Sequence, residues 1–235
     1  MHSGFGQFCP VAVASEVFAA RWTPLILREL FAGSEHFNDI HRGVPLMSRA
    51  LLSRRLRELG DAGVVVRERV VGASGHRYRL TEAGLEFRPV IDALGQWGQR
   101  WTIRVRPENL DAGFLMWNVR RRIATALLPD RRVVVFFRFS GVPRSYRGPT
   151  EFWLVLVRSA VEICIEDPGF EVDLQVDADI AAMASVWLGN VPFDTAVRSR
   201  SVHVVGPKAL VLAFPSWLML SKFAAVPRRH AEPTH

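Results

Sequence analysis

Chemistry in this chain begins with arginine. The stretch SRALLSRRLRELGDAG, opening at Ser48, holds four arginines and one acid before its first glycine. At 100° per residue, Leu51, Leu52, Leu56 and Leu59 fall on one side of a helix, and Arg49, Ala50, Ser53, Arg54 and Arg57 fall on the other. Ordinary solvated helix faces mix signs so that charges pair at i,i+4, whereas this one sets four arginines against Glu58 alone. Guanidinium forks match phosphate oxygens and guanine edges, so the pattern points to a helix laid in a major groove. Ser48 and the helix N-terminus are placed for phosphate. Arg55 sits nearer the leucine side and is expected to pair with an acid or to reach a flanking phosphate. Two strand-like runs follow, VVVRERVV and HRYRLT, around GASG. Arg67 and Arg69 share one face of the first run. Arg77 and Arg79 share one face of the second, opposite Tyr78 and Leu80. A hairpin with arginine on its outer side, directly after a basic helix, reads as a wing, with Arg69 and Arg77 gripping the DNA backbone.

Short helices must position these groups. Thr23-Pro24 opens one, with Thr as N-cap and Pro first, and Gly33 ends it. Asn38 is expected to cap a second helix that closes at Gly43, and Ser48 to cap the arginine-rich third, which runs to Gly60 or Gly63. Thr81 should cap one long helix, EAGLEFRPVIDALGQWGQRW. Its apolar positions Leu85, Val90, Leu94, Trp97 and Trp101 exceed what a small domain covers, so a homodimer reading two half-sites is expected.

Composition agrees. The 235 residues are 49% hydrophobic and carry a net charge of +7, enough apolar content for packed cores. Residues 1–106 hold 15 Arg against 10 acids, whereas residues 107–235 hold 15 basic residues against 13 acids. The excess positive charge therefore concentrates in the first half. Two cysteines make no disulfide scaffold or structural zinc site. Without a spanning run of roughly 20 apolar residues or a basic leader, the expectation is a cytoplasmic protein with no membrane partner.

After Arg106-Pro107 the texture changes. An amphipathic stretch, NLDAGFLMWNVRRRIATALL, precedes four strand-like runs, RVVVFFRF, EFWLVLV, AVEICIE and FEVDLQV. Helical segments, a short strand VHVVG and further helices complete an α+β order with a largely antiparallel sheet. Phe136, Phe139, Trp153, Trp187, Phe193 and Trp217 could line a cavity for an apolar ligand, the plain alternative being that they fill the core. Asp173, Asp177 and Asp179 are better explained by strand ends and N-caps than by a metal. Neither GxSxG, HExxH nor a nucleotide-binding glycine pattern is present, so catalytic residues, metal and cofactor are all given as none.

The segments CPVAVASEVFAARWTPLILRELFAG, HFNDIHRGVPLMSRALLSRRLRELGDAGVVVR and YRLTEAGLEFRPVIDALGQWGQRW together resemble the HxlR family of bacterial winged-helix regulators, within the MarR-like group. The resemblance covers about residues 8–103 and rests on the order and spacing of RWT, LILREL, LSxRLREL and YxLTxAG. It implies double-stranded DNA as partner and transcription regulation as role, not catalysis. Arg49-Ala50 after Ser48 departs from the usual pattern. Cys9 before Pro10 falls where the family has Cys-Pro, which implies a redox-sensor thiol, the alternative being a small packed residue. Residues 111–224 resemble a sterol-carrier-protein-like domain, through the helix expected over Asp177–Leu188, Phe193, and VHVVGPKALVLAFPSWL with its Gly206-Pro207 turn. That resemblance implies a hydrophobic small-molecule or lipid effector. The domains expected are thus 1–106, winged helix-turn-helix with dimerisation helices; 107–226, sterol-carrier-like; and 227–235, a disordered tail. The main reading is a dimeric DNA-binding repressor. The alternative is a lipid carrier whose helix-turn-helix mediates protein contacts, and an enzyme in the second half is the third possibility.

Overall fold

A computed structural model describes residues 4–69, 75–101 and 105–229. The hairpin tip over 70–74 and residues 230–235 of the expected tail lie outside the described residues. The chain divides into two compact units, Met1–Gly95 and Gln96–His235.

The first unit runs α1 (Pro10–Phe18), α2 (Thr23–Phe31), α3 (Phe37–Gly43), α4 (Arg49–Asp61), β1 (Val65–Arg69), β2 (His76–Leu80) and α5 (Glu82–Leu85), then enters α6 (Arg88–Trp101). Ile26, Leu27, Ile40, Met47, Leu52, Leu56 and Ile91 form its buried core. Two glycines end helices as their φ freedom predicts. Gly33 (φ 86°) and Gly63 (φ 69°) each sit one residue past a C-cap. After each, the next N–H returns to the last turn, Ser34 to the Glu29 carbonyl at 3.0 Å and Val64 to the Leu59 carbonyl at 2.9 Å.

Three expected boundaries shift. Thr23 is the first residue of α2, not its cap; Trp22, with φ 81°, precedes it, and Thr23 is buried. His36 occupies the cap position of α3, and Asn38 lies inside that helix. The long helix expected after Thr81 is broken at Glu86-Phe87, between α5 and α6. Pro89 explains the break: it has no N–H for the Leu85 carbonyl, and its ring would collide with that carbonyl in a continuous helix.

The second unit holds α7 (Ala112–Arg120), β3 (Val133–Ser140), β4 (Glu151–Val157), β5 (Ala160–Cys164), β6 (Leu174–Asp179), α8 (Ile180–Trp187), α9 (Phe193–Arg198), β7 (Val202–Val205) and α10 (Lys208–Trp217). The sheet order is β5-β4-β3-β6-β7. Three pairings are antiparallel and one, β3 with β6, is parallel, so the mixed α+β class and the largely antiparallel sheet both hold. Val133, Val135, Phe137 and Phe139 of β3 join Met116, Met183, Phe214 and Trp217 from the helices in one core. Gly206 makes the turn before α10 at φ 153°, and a Cβ there would press the Asp173 carbonyl at 2.5 Å. The aspartates serve structure: Asp173 Oδ2 accepts from the Val134 N–H at 2.8 Å, Asp177 pairs with Arg138 at 2.6 Å, and Asp179 caps α8.

Candidate nucleic-acid interface

Helix α4 is built as its residues dictate. The Ser48 hydroxyl accepts from the Leu51 N–H at 3.3 Å, capping the N-terminus. Leu52, Leu56 and Leu59 are buried at 0, 3 and 2% exposure, which fixes the helix against the core. The opposite side, carrying Ser48, Arg49, Ser53, Arg54 and Arg57, is exposed along its length.

These arginines are held differently. Arg49 donates to Asn38 Oδ1 at 2.8 Å and lies over the Phe37 ring at 4.9 Å, so α3 steers it. Arg55 pairs with Glu58 at 2.5 Å, the acid partner expected for its inward position. Arg54 shares the same carboxylate more loosely, at 3.8 Å. Arg57 makes no ion pair or hydrogen bond among the described residues.

The hairpin places its arginines less simply. Its register pairs Arg69 with His76, Arg67 with Tyr78, and Glu68 with Arg77. Directly paired residues share a face, so Arg69 and Arg77 lie on opposite faces and cannot both grip one stretch of backbone. Arg77 and Arg79 both approach Glu35 at 3.8 Å, and Arg79 also approaches Glu68 at 3.7 Å. Arg69 shares its face with Arg67, whose Nη2 lies 3.1 Å from His76 Nδ1. Reading Arg67 and His76 from sequence needed the register, which the turn length hides.

Two devices go beyond what the sequence suggested, a buried carboxylate on α2 and an extension of the Thr81 cap that the sequence did predict. The Glu29 carboxylate, at 0% exposure, accepts from Arg28 Nε at 3.0 Å and Ser34 Oγ at 3.4 Å, while Arg28 also reaches the Gly43 carbonyl at 2.6 Å. A Cβ on Gly43 would overlap that carboxylate, so glycine lets α3 close on α2. The second device lies in YRLTEAG. The Thr81 hydroxyl donates to the Gly63 carbonyl at 2.6 Å and accepts from the Gly84 N–H at 3.1 Å, seating Gly84 against the Val64 carbonyl.

Residues 17–106 match the model of the HxlR-like helix-turn-helix family. An uncharacterized HTH-type transcriptional regulator from Methanothermobacter thermautotrophicus is 35% identical over 94 residues, covering 40% of this chain and 72% of that protein. YvaP from Bacillus subtilis, likewise an uncharacterized HTH-type transcriptional regulator, is 33% identical over 108 residues, covering 45% of this chain and 96% of its own length. The chain belongs to the HxlR-like helix-turn-helix family. The solved structure of the reduced form of the B. subtilis transcriptional regulator YodB aligns at 28% identity and a TM-score of 0.36, covering 40% of this chain and 93% of YodB.

In this HxlR-like chain Cys9 occupies the N-cap position of α1 and is exposed. The backbone N–H groups of Ala12 and, next, Val11 lower its thiol pKa. Its sulfur forms no cap hydrogen bond of full geometry, so the effect is the field of the first helical turn. Sequence offered no such activation, because backbone amides are invisible to a search for basic neighbours. Cys164 is half-buried, and burial followed by Glu162 raises its thiol pKa. Iodoacetamide should therefore alkylate Cys9 first, its rate rising at lower pH than that of Cys164. Peptide mass mapping across pH 6–9 checks this, and equal profiles would contradict it.

The six aromatics expected around a ligand do not converge. Phe139 and Trp217 are core residues at 4 and 1% exposure, and Trp187 and Phe193 pack against that core. Phe136 and Trp153 pair across β3 and β4 on the other face of the sheet, rings 4.9 Å apart. Alternation fixed which residues share a face but not which face is covered by helices. A cavity of about 180 Å³ does exist in this unit, and of the six only Phe193 lines it. Among the described residues no cluster of His, Cys, Asp or Glu is arranged to hold a metal, and no helix is long and apolar enough to cross a membrane.

Proposed function

We propose that the chain is a cytoplasmic, dimeric repressor that inserts α4 into the major groove of double-stranded DNA, with Arg49, Ser53, Arg54 and Arg57 at the base edges and Ser48 on phosphate. One observation carries this reading: the exposed arginine face of α4 lies directly opposite a fully buried leucine stripe. A helix so anchored presents its charges without freedom to turn them away. Family membership supports the same role, and regulators of this kind act without catalysis. This reading keeps the functional division at 106/107, and the family match over residues 17–106 supports it. Of the wing arginines, one of Arg69 and Arg77 touches the backbone. Hydroxyl-radical footprinting of the chain's own upstream DNA tests the proposal. Two protected half-sites about 34–36 Å apart, or multiples of that, are expected. Unprotected DNA would favour the carrier reading instead.

Dimerisation is supported by apolar surface that the protomer leaves bare. No residue of α1 is buried, and Phe8, Val11 and Val13 are 100, 73 and 53% exposed. Val90, Leu94, Trp97 and Trp101, at i, i+4, i+7 and i+11, are exposed along one side of α6. A nine-residue helix with nothing buried is marginal in water, so a second copy is the natural cover. Leu94→Asp is expected to shift the sedimentation coefficient to that of a monomer while far-UV circular dichroism stays unchanged. A persistent dimer would place the interface elsewhere. Cys9, exposed and activated beside α1, fits an oxidant-sensing thiol. The second unit fits a sensor for an apolar small molecule: its order of helix, meander, crossover strand and closing helices supports the sterol-carrier-like resemblance.

A further inference from the structure

Arg49 is the first residue of α4, a position where the helix dipole disfavours a cation. Among the described residues no carboxylate pairs with it; its partners are the Asn38 amide oxygen and the Phe37 ring. Both come from α3, and that platform is itself held. Phe37 packs against the core of the first unit. His41, one turn on, lies nearly parallel to the Phe37 ring, at 7° and with centroids 6.5 Å apart. Its Nε2 donates to the Met47 carbonyl at 2.8 Å, because a carbonyl only accepts. Met47 is buried and directly precedes the Ser48 cap, so the platform on α3 and the start of α4 are tied together. A guanidinium resting on a ring and bound to one oxygen keeps its plane, and it has less rotamer freedom to lose on binding. The Asn38 contact, made by Nη2, uses one of five N–H donors and leaves both on Nη1 open. Guanine presents two acceptors, N7 and O6, in one plane of the major groove, whereas a phosphate offers acceptors all round. A preset plane therefore serves a base edge.

We propose that α3 presets Arg49 to read one guanine in each half-site, with Asn38 and Phe37 as its positioning residues. The proposal rests on the reading that α4 enters the major groove, and it assigns a base to one arginine of that helix. Replacing guanine by 7-deazaguanine removes the N7 acceptor and keeps base pairing. Upstream duplexes carrying this replacement at one position at a time are titrated with the full chain by fluorescence anisotropy. In the wild type, one position per half-site should cost about tenfold in affinity, a cost that Arg49→Ala no longer shows. Asn38→Ala, at an exposed position, should weaken the unmodified duplex about three- to tenfold and at least halve the cost at that guanine. Its salt slope should match the wild type, since no phosphate contact is lost. In the Arg49→Ala background the same change should cost less than about twofold, because nothing is left to position. Equal losses from Asn38→Ala in both backgrounds would make Asn38 a structural residue and overturn the proposal. Retention of the guanine's cost in Arg49→Ala would do the same. Preference for the upstream over random duplex with indifference to every replacement overturns the guanine assignment alone. Absence of that preference overturns the α4 reading itself.

Discussion

Gly84→Ala is expected to destabilise the winged-helix unit by about 3 kcal/mol, at the upper end for overpacking. The sign is the diagnostic feature. In an open helix the same change stabilises by about 0.5–1 kcal/mol, because alanine is the better helix former. Here the added Cβ would overlap the Val64 carbonyl oxygen and press the Leu80 side chain at 3.1 Å. Neither can yield cheaply, because the same carbonyl receives the Thr81 N–H at 3.1 Å, and Leu80 ends the strand that pairs with Val65. Thr81 and Gly84 thus fasten α5 to the end of α4 and the root of the hairpin. At about 4–8 °C per kcal/mol for a domain of this size, the calorimetric transition of the unit should fall by at least about 12 °C. An unchanged melt would mean that α5 does not pack on Val64.

The second large effect concerns DNA. Arg57→Ala should weaken binding to the upstream duplex by about 1–3 kcal/mol, about 5- to 150-fold, and relax its sequence preference. Arg57 carries this expectation because it is exposed and unpaired among the described residues. Arg55→Ala should do much less, since its guanidinium is engaged by Glu58 and its side chain is only 23% exposed. For the wing the register makes a sharper statement. Of Arg69→Ala and Arg77→Ala, only one should lower the slope of log affinity against log salt, by about 0.9. Arg77 already faces Glu35, which makes Arg69 the expected contact. Equal losses from Arg55→Ala and Arg57→Ala would contradict the orientation of α4.

Local chemistry made much of this legible. Ser48, the leucine spacing and Gly63 mark α4 from cap to stop, and Gly33 likewise ends α2. The strand runs of the second half all appear. What stayed hidden depended on distant residues. Strand alternation placed Arg69 and Arg77 on definite faces of their own strands, but the faces were related only by a register set through a turn. Phe136 and Trp153 were grouped with Phe139 because pattern alone does not tell which side of the sheet the helices cover. The parallel pairing of β6 with β3 required the chain to cross the sheet, which neighbouring strands in sequence do not announce. Pro89 was a visible helix breaker, and its weight against the long apolar periodicity after Thr81 was misjudged. Nothing within LILREL marks Glu29 for burial, because its partners Ser34 and Gly43 come from the following turn and helix.

Fluorescence anisotropy of the full chain on its upstream duplex and on random duplex, across a salt series, tests the central claim most directly. The account predicts a steep loss of affinity with salt on both, and binding to the upstream duplex at least a thousandfold tighter, near the low end of specific recognition (about 10³–10⁷). Weak binding, flat with salt and equal on the two duplexes, from a folded chain would contradict it.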